Sequence, residues 1–191
     1  MQSPDRDLID RYVQGDRTAF DGLIRLYGPS VLGYLRRVCG SVEDADDCFQ
    51  ETFRRVFEKA HTVKGRTFKP WLFRVATNVA MDGFRRQKRE RAVSLDSELA
   101  NSEMPSPLET AVDASVSPEN ELIQDEQARQ VRSAVAALPD RQRATLVMAY
   151  YQKLSYAQVA EALGCSVGTV KTQMFRALKA LAVKLPNPSE L

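Results

Sequence analysis

Leu154-Ser-Tyr-Ala-Gln-Val-Ala-Glu-Ala-Leu-Gly-Cys-Ser-Val-Gly-Thr-Val-Lys-Thr-Gln-Met-Phe-Arg-Ala-Leu178 is the most informative stretch of this chain. Ser155 can cap a helix, and Gln158 stands three residues on, the spacing of a reciprocal capping box. Val159, Ala160 and Leu163 then face one side, and Gly164 supplies the left-handed residue that ends such a helix. Ser166 caps a second helix in which Val167, Val170, Met174, Leu178 and Leu181 recur at helical spacing. Its other face offers Thr169, Lys171, Thr172, Gln173 and Arg176. A short helix, a sharp turn and a second helix presenting hydroxyl, amide and cationic groups suit the major groove of DNA. The expected DNA-facing set is Ser166, Thr169, Lys171, Thr172, Gln173, Phe175 and Arg176. Within it, Lys171 and Arg176 suit phosphates or guanine, and Thr172 and Gln173 suit adenine or other bases.

Upstream of this motif, Ser117-Pro118-Glu119 has the form of a helix start: a hydroxyl cap, a proline in the first turn and an acid at the positive end of the dipole. Leu122, Ala128, Val131, Val135 and Leu138 mark one face of that helix, and Pro139-Asp140 begins another that runs through Leu146, Val147, Tyr150 and Tyr151. Further upstream, the stretch from Val93 to Ser117 mixes Ser, Pro, Glu, Asp and Asn with little apolar periodicity and reads as a linker. Before it, Phe20, Leu23, Ile24 and Tyr27 form one apolar stripe. Ala45, Cys48, Phe49, Thr52, Phe53, Val56 and Phe57 form a second, and Phe68, Trp71, Leu72, Val75, Ala76, Val79 and Ala80 a third. No strand-type alternation is sustained. The fold class expected is all-α: a bundle of about four helices over residues 1–92, a flexible acidic linker over 93–118 and a helix-turn-helix domain over 119–186.

A net charge of +2 conceals a strong segregation. Between Arg91 and Arg129 there are nine acids and no lysine or arginine, which leaves 27 bases against 16 acids, or plus 11, for the remainder. Residues 53–91 hold 12 bases and 3 acids, and residues 129–191 hold 9 bases and 3 acids. Two basic blocks flanking an acidic one suggest a polyanionic partner, because cations that displace condensed counterions drive nucleic-acid binding. A solvated surface would carry the same charge, so the motif rather than the balance decides.

Other function classes lack their parts. The longest uncharged run, Leu26 to Leu35, is ten residues broken by Gly28, Pro29 and Gly33, far short of the roughly 20 apolar residues of a membrane span. The N-terminus has no apolar segment behind a basic start, so the expected location is the cytoplasm, with no direct membrane insertion. Cys39, Cys48 and Cys165 are too widely spaced for a zinc knuckle and read as buried or spectator thiols. His61, the single histidine, has no ligand partners at motif spacing, and there is no Gly-rich phosphate loop. Neither an enzyme, a cofactor, a metal site nor a small-molecule substrate is expected.

The first domain narrows the reading. Asp44-Ala-Asp-Asp-Cys-Phe-Gln-Glu-Thr-Phe53 resembles the D-A-x-D-x-x-Q-E-x-F signature of bacterial RNA polymerase sigma factors of the extracytoplasmic-function (ECF) group, within the sigma-70 superfamily. Trp71-Leu-Phe-Arg-Val-Ala-Thr-Asn-Val-Ala-Met-Asp82, with Arg85-Arg-Gln-Lys-Arg89 behind it, resembles the next block of that family, and Leu138-Pro139 and the Leu154 motif fall where its second domain lies. The resemblance implies a region 2-like domain that grips core RNA polymerase and reads the minus 10 promoter element, and a region 4-like domain that reads the minus 35 element. It implies that Asp44, Asp47, Gln50, Glu51 and Phe53 face the polymerase, and that Lys64, Arg66, Arg74, Asn78, Arg85 and Arg89 meet minus 10 DNA. The seven residues of the Ser166 to Arg176 helix would meet minus 35 DNA. Asn78 matches the family's asparagine, whereas Gln173 stands where an arginine is frequent. Partners implied are core RNA polymerase, promoter DNA and an anti-sigma factor. The acidic linker is implied to follow a positively charged polymerase channel; a solubilising spacer would have the same composition.

The competing reading is a helix-turn-helix regulator that acts without joining the polymerase, since Leu154 to Lys171 also resembles LuxR-type output domains. An N-terminal receiver or ligand-binding domain would then be expected in place of a small helical bundle. Under either reading, DNA affinity is led by phosphate contacts. Neutralising about 6 phosphates gives a log-log slope of affinity against salt near about −5. Titration of labelled promoter DNA across a salt series measures that slope, and a flat response contradicts phosphate-led binding.

Overall fold

The computed structural model describes residues 4–63, 67–95 and 118–185, and all of its regular structure is helical. The N-terminal part contains α1 (Pro4–Val13), α2 (Arg17–Val38), α3 (Val42–Lys59) and α4 (Phe68–Leu95), with a short 3₁₀ turn at Ala60–Val63. The C-terminal part contains α5 (Pro118–Ala136), α6 (Asp140–Leu146), a widened turn at Val147–Tyr151, α7 (Tyr156–Leu163) and α8 (Val167–Lys184). Helix α4 extends three residues past the boundary expected at 92, and α5 begins at Pro118 as the proline signal requires. The expected linker otherwise lies outside the described residues, as does the Ser117 cap.

Local chemistry sets the helix ends. Asp16 Oδ1 accepts from the Thr18 N–H at 2.9 Å and from Thr18 Oγ1 at 2.6 Å, while Arg11 Nη2 donates to Asp16 Oδ2 at 2.7 Å. One carboxylate therefore caps α2 and ties it to the end of α1. Ser41 Oγ accepts from the Asp44 N–H at 3.0 Å and starts α3. At Gly22 the two N-terminal helices approach so closely that a Cβ would stand 2.8 Å from Leu8 Cδ2. Around the second motif both halves of the capping box form: the Gln158 N–H donates to Ser155 Oγ at 3.3 Å, and the Ser155 N–H to Gln158 Oε1 at 2.9 Å. Gly164 takes the left-handed conformation at φ 62°, and Ser166 Oγ accepts from the Thr169 N–H at 3.1 Å.

The first core gathers Leu23, Val31, Leu35 and Val38 from α2, Ala45, Phe53 and Val56 from α3, and Phe68, Leu72, Phe73 and Ala76 from α4. Each large side chain removed from water contributes about 1.5–3 kcal/mol before the ordering cost. A buried polar chain links α2 to α4 and is satisfied: Tyr34 Oη donates to Thr77 Oγ1 at 2.7 Å, and Thr77 Oγ1 donates to the Phe73 carbonyl at 2.6 Å. Burial pushes the Tyr34 hydroxyl far above its ordinary pKa, so it stays a donor at every physiological pH. Cys39 is buried and touches Cys48, a contact that together with burial raises the Cys39 thiol; Cys165 is half-buried. The second core forms from Leu146, Val147, Met148, Val159, Val170, Met174 and Ala177.

Several apolar expectations fail in the second domain, where Val167 at the start of α8 is exposed. On α8 the buried stripe is Val170, Met174 and Ala177, with Leu181 half-buried, while Leu178 is 54 % exposed. The alanine can be the inward residue because α8 packs closely on α6 and α7, and a stripe passing through Ala177 turns Leu178 outward. Tyr150 and Tyr151 likewise leave the core. The chain widens to i→i+5 bonding at Val147–Tyr151, with the Gln152 N–H reaching the Val147 carbonyl at 3.2 Å, and Tyr150 ends 64 % exposed.

Gly164→Ala is expected to destabilise the second domain by about 1–2 kcal/mol, the cost of a Cβ in the left-handed region, although no atom stands within 4 Å of the position. A urea unfolding midpoint measures it.

Candidate nucleic-acid and polymerase interfaces

Helix α3 divides its residues between core and surface at the spacing its sequence sets. Asp47 and Gln50 are exposed, and Asp44 and Glu51 are half-buried on the same side. Glu51 is held by two arginines: Arg54 Nη2 donates to its Oε1 at 2.8 Å and Arg54 Nε to its Oε2 at 2.7 Å, while Arg55 Nε donates to Oε1 at 2.7 Å. Arg54 also pairs with Glu58, and Arg55 Nη1 lies 3.5 Å from Asp82 Oδ2 on α4. A network of three acids and two arginines thus fixes the outer face of α3 against α4. Phe53 does not share that face. It is 6 % exposed, its ring 4.9 Å from that of Phe49 and 6.4 Å from that of Phe20. Its expected place at the polymerase surface is corrected to the core, because the inward side of an amphipathic helix falls at this position.

Helix α4 presents the second group. Arg74, Asn78, Arg85 and Arg89 are all exposed, and their spacing of i, i+4, i+11 and i+15 brings them to one side, opposite buried Leu72, Phe73, Ala76 and Ala80. Lys64 and Arg66 lie outside the described residues. One member of this face went unnoticed in the sequence: Asp82, four residues past Asn78, is exposed and sits 3.6 Å from Arg85 Nη1 as well as against Arg55. The i+4 step was its available signal. The carboxylate orients two guanidinium groups and lowers the positive potential midway along the face.

Helix α8 presents the third. Ser166, Thr169, Lys171, Thr172 and Arg176 are exposed, Gln173 is half-buried, and Phe175 is 68 % exposed. Several hydroxyls already have work within the helix. Ser166 Oγ and Thr169 Oγ1 are 2.9 Å apart at the cap, and Thr172 Oγ1 donates to the Gly168 carbonyl at 3.0 Å. Their lone pairs remain available to a ligand donor, whereas the ammonium and guanidinium of Lys171 and Arg176 stand outside these bonds. Phe175 and Leu178, one turn apart, add an apolar strip beside the polar face. Among the described residues no cluster of His, Cys, Asp or Glu has the form of a metal site, and no helix is long and apolar enough to cross a membrane.

The Glu51 network gives a pH dependence with a definite sign. Hydrogen bonds from Arg54 and Arg55 hold the Glu51 carboxyl at a pKa of about 2, below its ordinary 4.5. A depressed carboxylate contributes stability that is present above its unfolded pKa and lost as pH falls through the folded one. Glu51→Gln is therefore expected to lower stability at pH 7 by no more than about 1 kcal/mol, since the pair is partly solvated. The two proteins should converge between pH 4.5 and 2, as unfolding midpoints at pH 7, 4 and 2.5 will measure.

Comparison with known proteins places the chain in a family. Residues 23–90 match the family model for sigma-70 region 2, and residues 128–181 match that for sigma-70 region 4. The chain is 32 % identical over 178 residues to the ECF RNA polymerase sigma factor SigW of Bacillus subtilis, covering 93 % of this chain and 94 % of that protein. It is 32 % identical over 189 residues to the ECF RNA polymerase sigma-E factor of Haemophilus influenzae, covering 96 % of each. Among solved structures, the fold resembles the sigma factor RpoE of Bartonella quintana bound to the anti-sigma factor NepR (TM-score 0.68, 21 % identity, 86 % of this chain and 94 % of that one). It also resembles CnrH bound to the cytosolic domain of CnrY (TM-score 0.66, 24 % identity, 95 % and 96 %). The match over α2 to α4 sets aside a regulator that carries only the helix-turn-helix. This chain belongs to the sigma-70 family and, within it, to the ECF RNA polymerase sigma factors.

Proposed function

We propose that this sigma factor divides its work among the three faces. Residues 1–92 form the domain that binds core RNA polymerase through Asp44, Asp47, Gln50 and Glu51 and reads the minus 10 element through Arg74, Asn78, Arg85 and Arg89, with Lys64 and Arg66 in the adjoining loop. Residues 119–186 read the minus 35 element through Ser166, Thr169, Lys171, Thr172, Gln173 and Arg176. Residues 93–118 are the tether between them. The observation that carries this reading is the separation of charge by helix: a face of four acidic or amide groups on α3, two exposed and two half-buried, and an exposed face of three arginines and an asparagine on α4, beside one core. An acidic patch suits a protein surface, and a cationic one suits phosphates.

The chemistry of initiation on this reading is binding rather than turnover. Opening of the minus 10 duplex draws on contacts with the displaced strand, for which a cationic track such as that of α4 is suited. The protein acts in the cytoplasm, where polymerase and promoter meet, and an anti-sigma factor is a natural partner, as NepR is for RpoE of Bartonella quintana. Phe175 and Leu178 give region 4 an exposed apolar strip that such a partner could cover.

The test is reconstitution. Mixed with bacterial core polymerase, the protein is expected to co-elute in size exclusion and to support run-off transcription from a promoter carrying both elements. Arg176→Ala, placed at a phosphate or guanine, should weaken minus 35 binding by about 5- to 150-fold. Asn78→Ala should impair minus 10 opening while leaving co-elution intact. Failure to co-elute overturns the reading.

A further inference from the structure

The junction of α2 and α3 brings together two thiols that neither DNA reading nor polymerase binding employs. Cys39 ends α2, its N–H donating to the Leu35 carbonyl at 2.7 Å, and its side chain is buried. The connection is short: Gly40 and the Ser41 cap lead directly into Val42 of α3. Further along that helix Cys48, half-buried, packs against the core to which Cys39 belongs. Arg36 Nη2 of α2 lies 3.9 Å from Asp46 Oδ1 of α3, so the last turn of one helix sits beside the first turns of the next. The two sulfurs are within hydrogen-bond reach, and the Cys39 thiol donates to Cys48. A Cβ added at Gly40 would meet no atom within 4 Å, so the connecting turn has room to adjust.

The pair is chemically unequal. The hydrogen bond from Cys39 favours the thiolate of Cys48 and holds that thiol below its ordinary pKa; burial, Asp44 and Asp47 oppose the shift, and Arg86 of α4 assists it. The same bond, together with burial, raises the Cys39 thiol. A partly accessible cysteine that ionises readily, with a second thiol against it, is the arrangement that reacts with a hydroperoxide and then resolves to a disulfide. In a cytoplasm that keeps thiols reduced, the dithiol is the resting form. Resting on the assignment of α3 as the polymerase-binding helix, we propose that Cys39 and Cys48 form a peroxide-reactive dithiol whose disulfide displaces Asp44 and Asp47 and weakens the grip on core polymerase.

The reaction closes in two steps. The Cys48 thiolate attacks one oxygen of hydrogen peroxide, the O–O bond breaks, and the leaving hydroxide takes up the proton that Cys48 had lost, giving water and a Cys48 sulfenic acid. Sulfur is oxidised by two electrons and the peroxide is reduced by the same two. The negative charge on Cys48 is then gone, and with it the hydrogen bond that kept Cys39 protonated. The Cys39 sulfur attacks Cys48, the S–OH bond breaks, and hydroxide leaves with the Cys39 proton as a second water. A dithiol reductant reverses the result by thiol–disulfide exchange. Because a covalent S–S bond is shorter than the contact it replaces, closing it draws the start of α3 toward the end of α2. Asp44, one turn before Cys48, and Asp47, immediately before it, move with the helix.

Hydrogen peroxide added to the reduced full chain, followed by thiol blocking and peptide mass spectrometry, is expected to give a Cys39–Cys48 disulfide. Cys165→Ser should leave that crosslink unchanged and Cys48→Ser should abolish it. Cys39→Ser should leave Cys48 as a sulfenic acid that dimedone traps. With the peroxide removed, the oxidised wild type should bind core polymerase about five- to tenfold more weakly than the reduced protein, and dithiothreitol should restore it. The Cys39→Ser/Cys48→Ser double variant should bind equally before and after peroxide. A different pairing, a Cys48 sulfenic acid that does not crosslink in the wild type, or equal polymerase affinity of the reduced and oxidised wild type would each overturn the proposal. If a serine variant loses helix by circular dichroism, the wild-type peptide map and its reversal by dithiothreitol decide. Failure of the reduced wild type to bind polymerase refutes the assignment of α3 instead, since the peptide map is read without polymerase.

Discussion

Helix α4 is the element on which the rest of the molecule depends. Its Leu72, Phe73 and Ala76 complete the first core, Thr77 closes the buried bond to Tyr34, Lys69 receives the second domain, and the remaining side carries Arg74, Asn78, Arg85 and Arg89. A helix has only one circumference, so each demand limits the others. The cationic face lies on the side of α4 turned away from α2, α3 and α7, which pack against its other sides. The Tyr34–Thr77 bond is the most exacting constraint: without Thr77 the Tyr34 hydroxyl is left buried and unpaired, and the register of α4 against α2 loses a polar marker.

Charge works at two scales. Locally, Glu51 gathers Arg54 and Arg55, and Asp82 gathers Arg55 and Arg85, so that the acidic side of α3 and the cationic side of α4 are braced against each other by partly solvated pairs of small individual worth. Along the chain, the nine acids between Arg91 and Arg129, five of them within residues 93–118 and four in α5, give that stretch a charge that phosphates repel. A protein whose net charge is close to zero can thus present strong and opposite potentials to its two macromolecular partners.

Much of this was legible in residues alone. The capping box at Ser155, the left-handed Gly164, the Ser41 and Ser166 caps and the start of α5 at Pro118 each depend on interactions within four residues, and local interactions are what a sequence states. The acidic and cationic faces followed from i, i+4 spacing in the same way. What could not be read was the sharing of surface between elements. Phe53, in a motif matched to the polymerase-binding helix, proved to be core; Leu178, at helical spacing with buried neighbours, proved exposed; Tyr150 and Tyr151 left the core because a widened turn rotates everything after Val147.

The sequence by itself determined an all-helical chain, the helix-turn-helix, the two basic domains and the family, because periodicity, caps and motif order are one-dimensional properties. Tertiary structure alone decided which side of each stripe faces the core, that Asp82 pairs with Arg55 across the α3–α4 contact, and that the second domain rests against the first through Lys69, Arg37 and Phe84. These depend on partners 40 to 80 residues away along the chain, whose approach is set by the summed packing of several helices, and no local pattern encodes that sum.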